Sequence, residues 1–362
     1  MFIEWSLQVR PWLHPASLSS ADLTPSLTAG QLSDQAGGAA AWGPAEFRTG
    51  FESLRERGSL ATPTAVGSLR TMLGELTGAG APGRRPRCAV MGIVNLTPNS
   101  FYDGGRYAAA DQQRTLVDQL LAEGADILDI GGESTKPGSD PVPAQTQIER
   151  IDAALRHALA RGAVVSVDTA EPSVADYALG LGAQLINDVS CLANIELARV
   201  VARHQAHLLI SHSRGAMSEM RGFSQWPDDD YDDIVMEVAE DWERARQGAM
   251  AAGVVRENIL FDPGLGFSKN ARHCYVILQR LREFETLRAP IVVGPARKSF
   301  IAAVSPLPPE HRLGGTVAAC VIAAQRGAHL VRVHDVEAVK QALAVNDASQ
   351  PEPGSAGGTL AG

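Results

Sequence analysis

Cysteine is sparse in this chain and scattered. The four in 362 residues, Cys88, Cys191, Cys274 and Cys320, lie far apart, and none forms a Cys-x-x-Cys pair. Such spacing argues against a zinc site and against a disulfide scaffold. Long apolar runs are missing too, so no membrane span is expected. The first residues lack a basic region followed by an apolar core, so no secretory leader is expected and the cytoplasm is the default compartment. There is no excess of positive charge. The formal net charge is −9, which speaks against a broad nucleic-acid surface. An anionic small substrate stays compatible with that balance, because local cations decide its binding. Finally, no Gly-x-Gly-x-x-Gly opens a first helix, which weighs against a doubly wound dinucleotide-binding sheet.

What is present is ordinary globular material, 45% hydrophobic and 20% charged. The organisation along the chain is uneven. Residues 1–87 contain linker-like stretches such as Gly37-Gly38-Ala39-Ala40-Ala41 and Gly78-Ala79-Gly80-Ala81-Pro82-Gly83. The segment from Phe47 to Leu76 has scattered apolar residues with room for one or two short helices. Residues 1–87 are therefore expected to form an N-terminal extension, helical or partly disordered. Residues 348–362, rich in Gly, Ser and Pro, are expected to be a disordered tail.

Between these ends, strand and helix patterns alternate. Short apolar runs occur at Ala89–Val94, Ile127–Ile130, Val164–Val167, Leu185–Ile186, Leu208–Ile210, Ile259–Phe261, Ile291–Val293 and Leu330–Val333. Helical stripes at 3.6-residue spacing separate them, as in Ile148, Ile151, Leu155 and Leu159. Eight such repeats over residues 88–347 predict an α/β fold, a (β/α)8 TIM barrel with an N-terminal extension.

Each run ends in polar residues. Asn95, Thr135, Asp168, Asn187, Asp262, Lys298, Arg332 and His334 would all stand on one face of such a barrel. A single one of them reads as a turn cap; Asp262 before Pro263-Gly264 is a common turn signal. Eight together point to one pocket. Asp168, Asn187 and Asp262 suit a flat heterocycle with donor edges. Asn95, Arg332 and His334 suit a diphosphate with Mg²⁺. The long loops Leu96–Arg106 and Glu133–Pro143 could cover such a site.

Seven segments together resemble the dihydropteroate synthase family of pterin-binding barrels. They are Met91-Gly92-Ile93-Val94-Asn95-Leu96-Thr97-Pro98-Asn99-Ser100-Phe101, Gly131-Gly132-Glu133-Ser134-Thr135-Lys136-Pro137-Gly138, Asp168-Thr169, Asn187-Asp188-Val189-Ser190, Asp262-Pro263-Gly264-Leu265-Gly266-Phe267, Arg297-Lys298-Ser299 and Arg332-Val333-His334-Asp335. The resemblance implies a transferase of folate biosynthesis. Its reaction joins 6-hydroxymethyl-7,8-dihydropterin diphosphate to p-aminobenzoate and releases diphosphate. It implies pterin contacts from Asp168, Asn187, Asp262 and Lys298, with Asp262 and Lys298 as the catalytic pair. Asn95 would hold Mg²⁺ and, with Arg332 and His334, the diphosphate. Thr135, Lys136 and Ser299 would lie on the p-aminobenzoate side. A homodimer through barrel helices is also implied.

The chain departs from the family pattern at four places. Asn99 stands where Asp is usual, and Lys136 where Arg is usual. Ser211-His212-Ser213 replaces Met-His-Met, and Ala296 replaces Ser. The alternative these departures raise is a pterin-binding paralogue with weak or no synthase activity. A pterin-dependent methyltransferase partner would lack the Arg332-x-His334 pair.

Overall fold

The computed structural model describes residues 87–96, 110–134, 139–215 and 226–350. Residues 1–86 of the expected N-terminal extension and 351–362 of the expected tail lie outside these residues, as do Asn99, Thr135 and Lys136; Ala348, the first residue of the expected tail, instead closes the last helix. Within them the alternation is as predicted. Strands β1 (Ala89–Asn95), β2 (Ile127–Gly131), β3 (Val165–Asp168), β4 (Leu185–Asp188), β5 (His207–Ser211), β6 (Ile259–Asp262), β7 (Val292–Val293) and β8 (Leu330–Val333) form one sheet. The helices between and after them are α1 (Ala110–Ala122), α2 (Ala144–Ala160), α3 (Pro172–Leu181), α4 (Ile195–Arg203), α5 (Ile234–Ala251), α6 (Ala271–Gln279), α7 (Ser299–Val304), α8 (Leu313–Gln325) and α9 (Val336–Ala348).

Every pairing is parallel, and β1 lies between β2 and β8. The order β6-β5-β4-β3-β2-β1-β8-β7 brings the first strand beside the last. A parallel bridge from Phe261 to Ile291 joins the remaining two ends, and the Phe261 N–H donates to the Pro290 carbonyl at 3.0 Å. The result is the expected barrel. The seventh strand is shorter than the Ile291–Val293 run suggests, because Ile291 contributes only the bridge.

Side-chain alternation explains where the pocket lies. Ala89, Met91, Ile127, Leu185, Leu209, Leu260, Val292 and Leu330 fill one apolar layer inside the barrel, with Val164 packed against it. Successive side chains on a strand point to opposite faces, so residues two steps on point inward again. Two steps beyond Ile127, Leu185, Leu260 and Leu330 come Asp129, Asn187, Asp262 and Arg332. An apolar plug thus carries a polar layer at the carboxyl ends of the strands. On the outer face, Trp242 of α5 meets Phe261 edge-on at 5.1 Å and donates its indole N–H to the Ile210 carbonyl at 3.0 Å. That hydrogen bond satisfies the polar atom of a wholly buried ring.

Candidate active site

The floor of the barrel mouth is a charge cluster. The Arg332 guanidinium donates from Nε to Asp129 Oδ2 at 2.6 Å and from Nη2 to Asp168 Oδ2 at 2.7 Å. Asn187 Nδ2 donates to the same Asp129 oxygen at 3.1 Å. All three partners are buried, Asp129 completely. Burial pushes the Asp168 carboxyl well up from the ordinary carboxylate range, and Arg332 pulls it partly back.

One arginine does not satisfy this cluster. Asp129 Oδ1, Asp168 Oδ1 and Asn187 Oδ1 are buried with no hydrogen-bond partner, and so is Ser166 Oγ. Buried acceptors left this way are costly unless something donates to them. Three such oxygens on neighbouring strands call for a ligand edge rich in N–H groups.

The wall comes from β6 and the turn after β7. Asp262 Oδ1 accepts the Gly264 N–H at 2.7 Å. Its other oxygen faces the β7 end: a methyl at Gly294 would lie 3.8 Å from Asp262 Oδ2 and 3.9 Å from both Lys298 Nζ and Arg332 Cβ. The absence of a side chain at Gly294 keeps that space open. Lys298 Nζ donates to the Leu265 carbonyl and lies 4.3 Å above the centre of the Phe267 ring. Burial pulls its ammonium down to about 8, while Asp262 opposes that shift. Burial likewise raises Asp262, against the lowering effect of Lys298.

The rim carries Asn95, half-buried at the end of β1. A methyl at Gly131 would lie 3.6 Å from Asn95 Oδ1 and 3.4 Å from Asp168 Cβ, so the two side chains border one space. His334 follows β8. Burial, reinforced by Arg332, holds its imidazole down to about 4, so near neutral pH it offers hydrogen bonds without a charge. Ser299 opens α7. Asn95, Asp168, Asn187, Asp262, Lys298, Arg332 and His334 therefore stand at the expected strand ends. Arg332, expected from sequence as a diphosphate contact, also serves the floor, because Asp129 and Asp168 occupy its Nε and Nη2.

Lys298 is seated by its neighbour. Arg297 adopts a left-handed backbone with φ 50°, uncommon for a residue with a side chain. Its fork is fully engaged: Nε donates to Asp335 Oδ2 at 2.9 Å, Nη2 to Oδ1 at 2.5 Å, and Nη1 to the Pro309 and Glu310 carbonyls at 3.0 and 2.6 Å. An ammonium cannot reproduce that geometry. Arg297→Lys is expected to lose about 3 kcal/mol of stability, the scale of breaking a buried ion pair. Urea denaturation measures it, and a loss under about 0.5 kcal/mol, typical of surface changes, would contradict the assignment.

Sequence reasoning missed Asp129. The signal for Asp129 was available: a lone carboxylate inside Ile127-Leu128-Asp129-Ile130, on the face of Ile127.

A closed parallel barrel with a polar, partly unpartnered floor and a Lys–Asp wall in its carboxyl-end mouth defines a class, the (β/α)8 barrel enzyme acting on a small molecule. Residues 91–334 match the family model for pterin binding enzymes, and the chain belongs to that family. It is 40% identical to the dihydropteroate synthase of Synechocystis sp. over 267 residues, 72% of this chain and 90% of that protein. It is 40% identical to a probable bifunctional folylpolyglutamate synthase/dihydropteroate synthase of Haloferax volcanii, of which it spans 31%. Among solved structures, the dihydropteroate synthase of Xanthomonas albilineans with 4-aminobenzoic acid is 38% identical. The match has a TM-score of 0.67 and covers 74% of this chain and 94% of that one.

Proposed function

We propose that this chain is a dihydropteroate synthase, condensing 6-hydroxymethyl-7,8-dihydropterin diphosphate with p-aminobenzoate. The observation that carries the reading is the set of unpartnered oxygens on Asp129, Asp168 and Asn187. A pterin presents ring N–H and amino groups, which would donate to them. Asp262 and Lys298 would hold the opposite edge of the ring.

In the reaction the bond from the pterin methylene carbon to the diphosphate oxygen breaks, and its electron pair leaves with diphosphate. The amine nitrogen of p-aminobenzoate then bonds that carbon and loses a proton. The Asp262 carboxylate stabilises the cationic ring, an electrostatic role that needs no covalent nucleophile. Charge on the departing diphosphate would be met by Arg332 and by hydrogen bonds from neutral His334.

Mg²⁺ fits the donor chemistry of the rim. Among the described residues no group of three or more His, Cys, Asp or Glu could hold a metal ion. Mg²⁺ needs no such cage when a diphosphate and water supply most of its ligands. Asn95 Oδ1 would add one oxygen, and the bound ion would neutralise diphosphate charge.

Thr135, Lys136 and Ser299 would border p-aminobenzoate. Residues 1–87 would be an appended extension, residues 88–347 the catalytic unit and residues 348–362 a tail. Among the described residues no helix is long and apolar enough to cross a membrane. A cytoplasmic location is part of the proposal. A homodimer is part of the proposal.

The test of the function is a synthase assay on purified protein with both substrates; absence of dihydropteroate formation would defeat it. The departures at Ala296 and Lys136 bear on the second substrate. Ala296 has no hydroxyl for the p-aminobenzoate carboxylate, and Lys136 has no guanidinium fork. The Michaelis constant for p-aminobenzoate should be high, and sulfonamides, which imitate it, should bind poorly. Ala296→Ser is expected to lower that constant roughly tenfold, one charge-assisted hydrogen bond's worth. If Ala296→Ser, alone or with Lys136→Arg, leaves the constant unchanged, this account of the p-aminobenzoate side is wrong.

A further inference from the structure

Beneath the Asp262–Phe267 turn lies a lysine that the proposed reaction does not use. Lys269 is 1% exposed, yet its amine nitrogen has three acceptor atoms around it. Nζ donates to His212 Nδ1 at 2.7 Å, to the Phe267 carbonyl at 3.0 Å and to the His212 carbonyl at 3.4 Å. His212 is also fully buried, and its Nε2 lies 3.1 Å from Asp241 Oδ2. The tautomer follows from the partners. A carboxylate can only accept, so Nε2 carries the proton; burial holds the imidazole neutral, so Nδ1 is the bare nitrogen and accepts from the Lys269 amine, which burial pulls down to about 7 and which donates in either charge state. Arg214 Nε donates to the same Asp241 oxygen at 2.9 Å and holds the far end of the chain in place.

The route Asp241–His212–Lys269 ends on the turn that seats the catalytic lysine. Lys269 grips the Phe267 carbonyl from below. From the pocket side Lys298 donates to the Leu265 carbonyl and rests over the Phe267 ring. Gly264, in the same turn, is pressed against the His212 carbonyl. We propose that Lys269 is a positioning residue for the pterin pocket: it staples the Gly264–Phe267 turn to the end of β5 and so fixes the carbonyl and ring on which Lys298 rests. Stability alone does not call for a lysine there, since a well-packed apolar side chain often replaces a buried charge at no cost. What an apolar side chain cannot do is tie two backbone carbonyls and an imidazole to one point.

The proposal rests on the pterin reading of the pocket for one of its two readouts only. The first readout is amide hydrogen exchange of residues 264–267 in the full chain without ligand, comparing wild type with Lys269→Met. Exchange at least tenfold faster in the variant is expected. Unchanged exchange overturns the proposal, whatever the protein's substrates are. The second readout is steady-state kinetics with 6-hydroxymethyl-7,8-dihydropterin diphosphate and p-aminobenzoate. Lys269→Met is expected to raise the pterin KM at least tenfold and to leave the p-aminobenzoate KM within twofold. A loosened turn with an unaltered pterin KM also overturns the proposal. An inactive wild type would sink the synthase reading instead, and the exchange result would still decide whether the staple exists.

Two variants of His212 guard against a Lys269→Met protein that fails to fold. His212→Asn places an amide oxygen near the position of Nδ1 and should keep slow exchange and a near-wild-type pterin KM. His212→Leu offers no acceptor and should behave like Lys269→Met. A purely structural role predicts that both variants differ from wild type only in melting temperature, which would refute the positioning role.

Discussion

Gly264→Ala should cost the protein about 3 kcal/mol of stability or more, and lower kcat/KM at least about 100-fold. The reason is local and twofold. Gly264 has φ +66°, a conformation that side chains resist, and a Cβ there would sit 1.9 Å from the His212 carbonyl oxygen. Real contacts do not come so close, so one backbone must move. The His212 carbonyl cannot simply retreat. Its own N–H donates to the Asp262 carbonyl at 2.9 Å, and its oxygen accepts from Lys269. The turn must move instead, and Asp262 moves with it because the Gly264 N–H holds its carboxylate. Displacing a substrate-orienting carboxylate by 1 Å is enough for a loss of order 100-fold. Thermal melts and steady-state kinetics measure the two effects. An alanine variant with wild-type values for both would show that the turn tolerates a shift and does not govern the site.

Arg332→Met should be nearly as severe, and its signature is pH dependence. The substitution leaves Asp129 and Asp168 buried without their cation, a loss of about 3–5 kcal/mol near neutral pH. In the wild type burial already raises Asp168, and Arg332 is the main influence pulling it down. Removing Arg332 raises it further. A carboxyl whose folded pKa lies above its unfolded value binds its proton more tightly in the folded state. Its contribution is then favourable in acid and is lost as pH rises toward the folded value. The deficit of Arg332→Met against wild type should therefore shrink toward pH 4 and grow toward pH 8. Urea denaturation at the two pH values reads this directly, and an equal deficit at both would refute it. Ligand affinity separates the guanidinium's two duties. A pterin without phosphates should bind more weakly because the floor loses order, and the diphosphate should lose a further 1.5–3 kcal/mol or so through lost phosphate contacts.

Much of this was written locally. The repeated pattern of apolar run, polar end and helical stripe is enough to predict a parallel barrel, because strands covered on both faces must be apolar throughout. The residues that interrupt them at their ends stand out for the same reason. Asp168, Asn187 and Asp262 were legible in this way, as were Arg332 and His334 after Leu330-Val331. The seven ordered segments resemble the pterin-binding family, to which residues 91–334 belong.

The tertiary structure decided what those residues do to one another. Asp129 looked like part of a strand until the barrel turned it toward Arg332, a residue at the other end of the catalytic segment. Arg332 looked like a phosphate fork until two carboxylates took two of its five N–H donors. Lys269, His212 and Asp241 had no shared motif, since α5 and the turns after β5 and β6 bring them together only when the barrel closes. The physical distinction is one of range. Alternation along a strand and periodicity along a helix are properties of neighbours, so the chain states them outright. Hydrogen bonds inside a barrel join side chains from different strands, and the closed sheet alone decides which donor faces which acceptor.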